Sequence, residues 1–270
     1  MTRTTAPFGR RAAVVAAREK HGAYVVLKAA DPHGSLPRPG QFYMLAATER
    51  WGGGVGERPF LPRAFSVLRA AGGELHFLIE DVGPGTKRLS ELGPGDGLLL
   101  VGPLGNGFAA SREGRAPLLV GGGVGVAPLA ILQDELGAGG DESKALLGFR
   151  DEARARGAAL LTDPTVATDD GTVGHHGLVT DLLEDELEAR ADEVEVYACG
   201  PPAMLEAVRE LCHEYKVPAQ LALESGMACG FGACFGCVVP TVDGYVRLCV
   251  DGPVLDSQKL ASALVAGAGH

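Results

Sequence analysis

The chain has 270 residues and a formal net charge of −10, with 34 acidic against 24 basic side chains. That balance excludes the broad basic face of a nucleic-acid binder and favours solubility and an electrostatically matched protein partner. The length accommodates two domains of usual size and a small appendage. No apolar run approaches a membrane span, because "APLLVGGGVGVAPLAIL" is interrupted by glycines and a proline.

The N-terminal stretch "MTRTTAPFGRRAAVVAAREKHGAYVVLKAA" starts basic but meets Arg18, Glu19 and Lys20 before any long apolar core. No signal peptide is read there, and the expected compartment is the cytoplasm. The runs "AYVVLKA", "QFYMLAA", "RAFSVLRA", "ELHFLIEDV" and "GLLLVGP" follow, each bounded by Gly, Pro or Asp. Short strands at this spacing predict an antiparallel barrel, with one helix around Thr86–Leu92. Within it, "LPRAFSVL" places Arg63, Ala64, Phe65 and Ser66 on one strand. Arg63 and Phe65 share a face and Ser66 points the other way. An arginine can clamp a phosphate, an aromatic can cover a planar ring, and a hydroxyl can bond a ring nitrogen. The glycine-rich approach over 47–62 offers a second register, Arg58, Pro59 and Phe60, but only the Arg63 register supplies Ser66 before an apolar strand. Gly85 and Thr86 open the helix, where either a phosphate or an ordinary N-cap on Thr86 suits the residues.

Beyond about residue 113 the pattern changes. "APLLVGGGVGVAPLAILQDEL" reads strand, glycine turn, helix; "KALLGFR" and "EVEVYACG" are further strands, and "PPAMLEAVRELCHEY" a helix entered by prolines. Apolar strands alternating with helices predict a doubly wound parallel sheet. Gly121, Gly122, Gly123 and Gly125 sit where a pyrophosphate approaches a helix N-terminus, though glycines there also permit close helix–strand packing. Cys199 ends a strand at the edge where such folds bind ligands, whereas Cys212 lies on an apolar helix face as a core residue. His175 and His176 read as an exposed loop pair.

Four of the six cysteines crowd into "ACGFGACFGCVVPTVDGYVRLCV". Cys229-x4-Cys234-x2-Cys237 and the later Cys249 match the spacing with which one loop and one further ligand hold a [2Fe–2S] cluster. The glycines between them let backbone N–H groups approach sulfur. Structural zinc normally uses two close Cys pairs, and only one is present; disulfides do not suit the expected compartment. The expected segments are 1–112, 113–217 and 218–270.

Together these motifs resemble the ferredoxin-reductase superfamily, a flavin-binding barrel followed by a nicotinamide-binding α/β domain. "MACGFGACFGC" with "RLCVDGPV" is similar to the iron–sulfur electron-transfer subunits of NAD-dependent (class 1B) dihydroorotate dehydrogenases. The resemblance implies FAD held by Arg63, Ala64, Phe65, Ser66, Leu78, Ile79, Glu80, Gly85 and Thr86. It implies a nicotinamide nucleotide at the glycine loop and at Cys199, Gly200 and Pro201. "GPLGNGF" (102–108) resembles a turn beside the flavin and "GTVGHHGLVTD" (171–181) a nucleotide-domain loop. The implied activity is oxidoreduction for pyrimidine biosynthesis: electrons from the FMN of a separate catalytic subunit reach NAD+ through [2Fe–2S] and FAD, in a heterotetramer of two subunits each. A related ferredoxin:NADP oxidoreductase or sulfide dehydrogenase component, and a non-catalytic redox sensor, are the competing readings. Asp151 and Glu152 favour NAD over NADP, while Arg150, Arg154 and Arg156 point the other way.

Overall fold

The computed structural model describes residues 10–52 and 59–265. Its first unit comprises β1 (Arg11–His21), β2 (Tyr24–Ala30), β3 (Phe42–Ala47), β4 (Arg63–Ala71), β5 (Glu74–Glu80), α1 (Pro84–Ser90) and β6 (Gly97–Leu104). The strands close into an antiparallel barrel in the order β1-β2-β5-β4-β3-β6, with β6 pairing back to β1. Gly72 and Gly73, at φ 62° and 81°, make the two-residue β4–β5 turn, a conformation that matches strand twist and favours glycine. Alternate side chains fill the interior: Val15, Leu27, Tyr43, Leu45, Val67, Phe77, Ile79 and Leu100, with Leu89 and Leu92 closing one end. Tyr43 and Phe77 meet edge to face at 5.7 Å. Helix α1 begins ahead of the expected Thr86, because Pro84 supplies a preset φ in its first turn.

The second unit follows as β7 (Ala116–Gly122), α2 (Val126–Gly139), β8 (Lys144–Phe149), α3 (Glu152–Ala155), β9 (Thr165–Thr168), β10 (His175–His176), α4 (Val179–Arg190), β11 (Val194–Cys199), α5 (Pro202–Glu214) and β12 (Ala219–Ala222). The tail adds β13 (Val238–Thr241), β14 (Gly244–Arg247), α6 (Leu248–Asp251) and β15 (Val254–Asp256). One seven-stranded sheet runs β10-β9-β8-β7-β11-β12-β15, parallel except for β15. Helices cover both faces, as a fully buried parallel sheet requires. One face packs Leu183, Leu187, Leu205 and Val208 with barrel residues Phe42, Met44 and Leu104. The other packs Leu129, Ala130 and Leu132 with Tyr24, Leu68 and Leu78 of the barrel.

The sheet runs across the expected boundary at 217. Strand β12 lies beyond it, and β15 returns to pair with β12, Ala222 opposite Val254. The cysteine segment is therefore an excursion leaving and rejoining one sheet edge, which explains how so short a piece stays ordered without its own large core. Among the described residues no helix is long and apolar enough to cross a membrane.

Candidate cofactor sites

The cysteine loop leaves β12 and passes over the barrel. Gly230, at φ 79°, lies on Met44 and Leu104; a Cβ there would sit 2.5 Å from Met44 Cγ. Asn106, just past β6, donates through its side-chain amide to the carbonyls of Val250 (3.2 Å) and Asp251 (3.0 Å), fixing the far end. Between these anchors the four sulfurs fall into two contacts. Cys237 and Cys249 are both buried, their Sγ atoms 3.1 Å apart. Cys229 takes hydrogen bonds from the Cys234 side chain and from the N–H groups of Cys234, Phe231 and Ala233. Burial works to raise the Cys229 thiol, yet those donors outweigh it and bring it down to about 7. Cys249 is pushed up to about 12 by burial and by the neighbouring Cys237 and Cys229, with the Gly232 N–H opposing. Such mutual repulsion is what bound ferric iron relieves. Two sulfur pairs fringed by N–H donors fit a cluster of two irons.

Next to this loop runs the strand expected to carry flavin. Met44 pairs with Ala64 and Phe42 with Ser66 across β3 and β4. Arg63, partly exposed, lays its guanidinium against Gly85, where a Cβ would sit 2.6 Å from Nε. A side chain at 85 would occupy the cradle where an arginine meets the first turn of α1, a setting suited to phosphate. Thr86 is not the N-cap; it lies at the third helical position. Its hydroxyl accepts from the N–H of Val82 (2.9 Å) and Gly83 (3.0 Å), so it shapes the turn. Phe65 is half-buried, packed against the barrel interior. Leu78 and Ile79 bury their side chains on opposite faces of β5, leaving only their backbone for a ligand. Glu80 accepts from Arg154 Nε at 2.9 Å, and Arg154 NH1 reaches Asp151 at 2.6 Å, tying the barrel to the second unit. The alternative register at Arg58 lies outside the described residues.

The four glycines after β7 separate by environment. A Cβ at Gly121 would strike Leu147 and Leu129, one at Gly122 would strike Met204 and Pro201, and one at Gly125 the Cys199 carbonyl. Those three serve packing, whereas Gly123, at φ 55°, faces open space and leaves its backbone accessible to a phosphate. Gly200 and Pro201 abut this loop, since β7 and β11 are parallel neighbours ending at the same edge. Cys199 is buried there, its thiol pushed well above the usual range by burial and by the Glu224 carboxylate. Burial likewise raises Glu224. Cys199 thus keeps its thiol proton beside the glycine loop, where Gly125 packs on its carbonyl.

With this geometry in view, comparison with known proteins is decisive. Residues 224–261 match the family model described as the iron–sulfur cluster binding domain of dihydroorotate dehydrogenase B. The dihydroorotate dehydrogenase B (NAD(+)) electron transfer subunit of Caldanaerobacter subterraneus subsp. tengcongensis is 38% identical over 233 residues, covering 84% of this chain and 88% of that protein. The chain belongs to this family of electron transfer subunits. The Geobacillus kaustophilus member is 40% identical, covering 81% of this chain and 85% of its own length. Among solved structures, the NADH-dependent reduced ferredoxin-NADP oxidoreductase aligns at TM-score 0.77 and 27% identity, covering 95% of this chain and 92% of that one. A Neisseria gonorrhoeae ferredoxin NADP+ reductase with bound FAD and NADP shares the fold at TM-score 0.62 and 17% identity, covering 76% and 91%.

For a family member, sequence reasoning singled out the cysteines but passed over three residues that the fold brings to them. Met44 underlies the loop, Arg247 bonds it, and Glu224 faces Cys199. Glu224 had a faint signal, being the first charge after the apolar run "QLAL". His175 and His176 are exposed but form a short edge strand rather than a loop, with His175 Nε2 3.1 Å from Asp181.

Proposed function

We propose that this chain is the electron transfer subunit through which a dihydroorotate-oxidising partner reduces NAD+. The carrying observation is the stacking of Gly230 on Met44, which sets the cysteine loop against the barrel strand paired to Ala64. Cys229, Cys234, Cys237 and Cys249 hold [2Fe–2S], and FAD lies along Arg63–Ser66 and against Gly85. The nicotinamide nucleotide rests at Gly123 and near Cys199, Gly200 and Pro201. FAD exchanges two electrons with nicotinamide or one with an iron–sulfur cluster, and so joins the two kinds of carrier. The chain's own residues bind and orient. Arg63 offers charge to a phosphate, the Gly123 backbone admits another, and the buried Cys199 thiol, raised by burial, holds its proton at Sγ.

NAD is the preferred nucleotide. Asp169 and Asp170 follow β9, and Asp151 opens α3, lining the strand ends with carboxylates that repel a 2′-phosphate. Two of the three opposing arginines are engaged, Arg154 with Glu80 and Asp151 and Arg156 with Glu152, while Arg150 is exposed. The catalytic partner docks over exposed Cys234, where Phe231, Phe235 and Tyr245 are 51%, 63% and 80% exposed. Two copies of each subunit and a cytoplasmic location complete the reading. The cluster segment corresponds to residues 223–253 rather than to everything after 217.

The test is an oxygen-free assay of the complex captured by a tag on this chain, given dihydroorotate and NAD+ and followed for NADH. Turnover supports the reading. Intact flavin and iron–sulfur absorbance without turnover overturns the pyrimidine role in favour of a ferredoxin-linked oxidoreductase, the reading whose representative aligns at 27% identity.

A further inference from the structure

Around the cysteines one charged side chain reaches into the loop from outside it. Arg247 ends β14, two positions before Cys249, and is partly buried. Its NH1 donates to the Gly232 carbonyl at 2.9 Å, and its guanidinium carbon lies 5.3 Å from the centre of the Phe235 ring. Gly232 stands at φ 87° and Phe235 at φ 58°. For a bulky aromatic residue that is an unfavoured backbone, held only where its surroundings fix it. The guanidinium is therefore bonded to the glycine and stacked on the strained aromatic residue. On its N-terminal side Gly232 gives its N–H to Cys249 Sγ. The backbone N of Arg247 in turn donates to Asp251 Oδ2 at 3.0 Å, so the arginine is braced at both ends.

Hydrogen bonds to cluster sulfurs and nearby charge set the reduction potential of an iron–sulfur centre, since both act on the extra negative charge of the reduced form. We infer that Arg247 is a positioning residue for the cluster: by holding the Gly232 carbonyl it fixes that residue so that its N–H, in the preceding peptide unit, stays on Cys249 Sγ, and with its own charge it raises the cluster's potential. The inference rests on the reading that these four cysteines hold a cluster. Removing the charge loosens the donor and leaves Asp251 in place, and both effects disfavour the reduced state. The potential falls.

The experiment is a redox titration, followed by electron paramagnetic resonance, of the oxygen-free complex carrying wild-type chain, Arg247→Met, Arg247→Lys or Phe235→Leu. Arg247→Met is expected to shift the reduced-to-oxidised ratio at a fixed potential roughly tenfold towards oxidised, about 59 mV for a one-electron couple. Arg247→Lys restores most of that shift, and Phe235→Leu, which keeps the guanidinium, moves the ratio less than about threefold. Should Arg247→Met fail to retain its cluster, Arg247→Gln, equally neutral but polar, is held to the same shift. A neutral variant titrating with the wild type, or Phe235→Leu shifting as far as Arg247→Met, overturns the role of Arg247. A wild-type complex that gives no iron–sulfur signal overturns the cluster reading itself, a separate outcome.

Discussion

Met44 of the barrel and Gly230 of the cysteine loop touch so closely that no side chain fits between them. A Cβ on Gly230 would lie 2.5 Å from Met44 Cγ and 3.0 Å from Leu104 Cδ1, at a φ of 79° that disfavours any L side chain. Gly230→Ala is expected to cost about 1–3 kcal/mol through overpacking and backbone strain. It should also lower iron content per chain. Denaturant unfolding and iron analysis check this, and an unchanged midpoint with full iron would refute it.

Cys234 is the exposed member of the sulfur set, and its Sγ accepts from the Gly236 N–H at 3.5 Å. Cys234→Ser should leave flavin bound, because Arg63–Ser66 lies on β4 of the barrel and Cys234 is an exposed residue of the cysteine loop, while dihydroorotate-linked NAD+ reduction is lost. Flavin absorbance and the coupled assay separate the two effects. Full turnover by a cluster-free variant would sink the assignment.

The glycine loop gives a paired test. Gly125→Ala places a methyl group into the Cys199 carbonyl, backbone against side chain, and should destabilise the fold by about 2 kcal/mol or more. Gly123→Ala meets open space and pays only for its φ of 55°, about 1–2 kcal/mol. Its larger effect is expected on NADH affinity, weakened several-fold. Thermal unfolding and NADH titration of both variants would show the opposite ranking if the loop did not bind nucleotide.

Glu206 of α5 clasps the chain end. Arg209 chiefly, then the Ala263 N–H and the Ser262 hydroxyl, hold its carboxyl down at about 2 against the ordinary 4.5, with burial opposing. Because the folded value is depressed, this clasp stabilises the protein above pH 4.5 and is lost as pH falls towards 2. The shift corresponds to about 3 kcal/mol. Glu206→Gln should be less stable at pH 7 and lose less stability on acidification. Urea unfolding at pH 7 and pH 3 measures both, and parallel losses in the two proteins would refute it.

Much of the architecture was legible locally. Five barrel strands showed as short apolar runs, and the "LVGGGVGVAP" stretch marked the turn from strand to helix because glycine and proline act within a few residues. Strand β1 did not show. Its sequence "RAAVVAAREKH" pairs small alanines with outward charges, and its place comes from pairing with both β2 and β6 across a bulge at Val15 and Ala17. Strand β15 was equally hidden, since Val254 finds Ala222 only after the whole cysteine excursion. The same distance rule governs the sites. Cysteine spacing is a local property and could be read; Glu224 beside Cys199, Arg154 beside Glu80 and Arg63 beside Gly85 are products of folding. The sequence allows Thr86 a phosphate contact or an N-cap, and of these the cap is displaced because Pro84 starts the helix earlier and moves the threonine inside it.

The cysteine segment leaves one strand and rejoins the strand hydrogen-bonded beside it, Ala222 against Val254. Its two ends are held a single ladder spacing apart by a sheet that contains none of Cys229, Cys234, Cys237 and Cys249. The ladder of the sheet therefore places the ends of the excursion, while Gly230 on Met44 and the Asn106 amide on the Val250 and Asp251 carbonyls place its middle and far end.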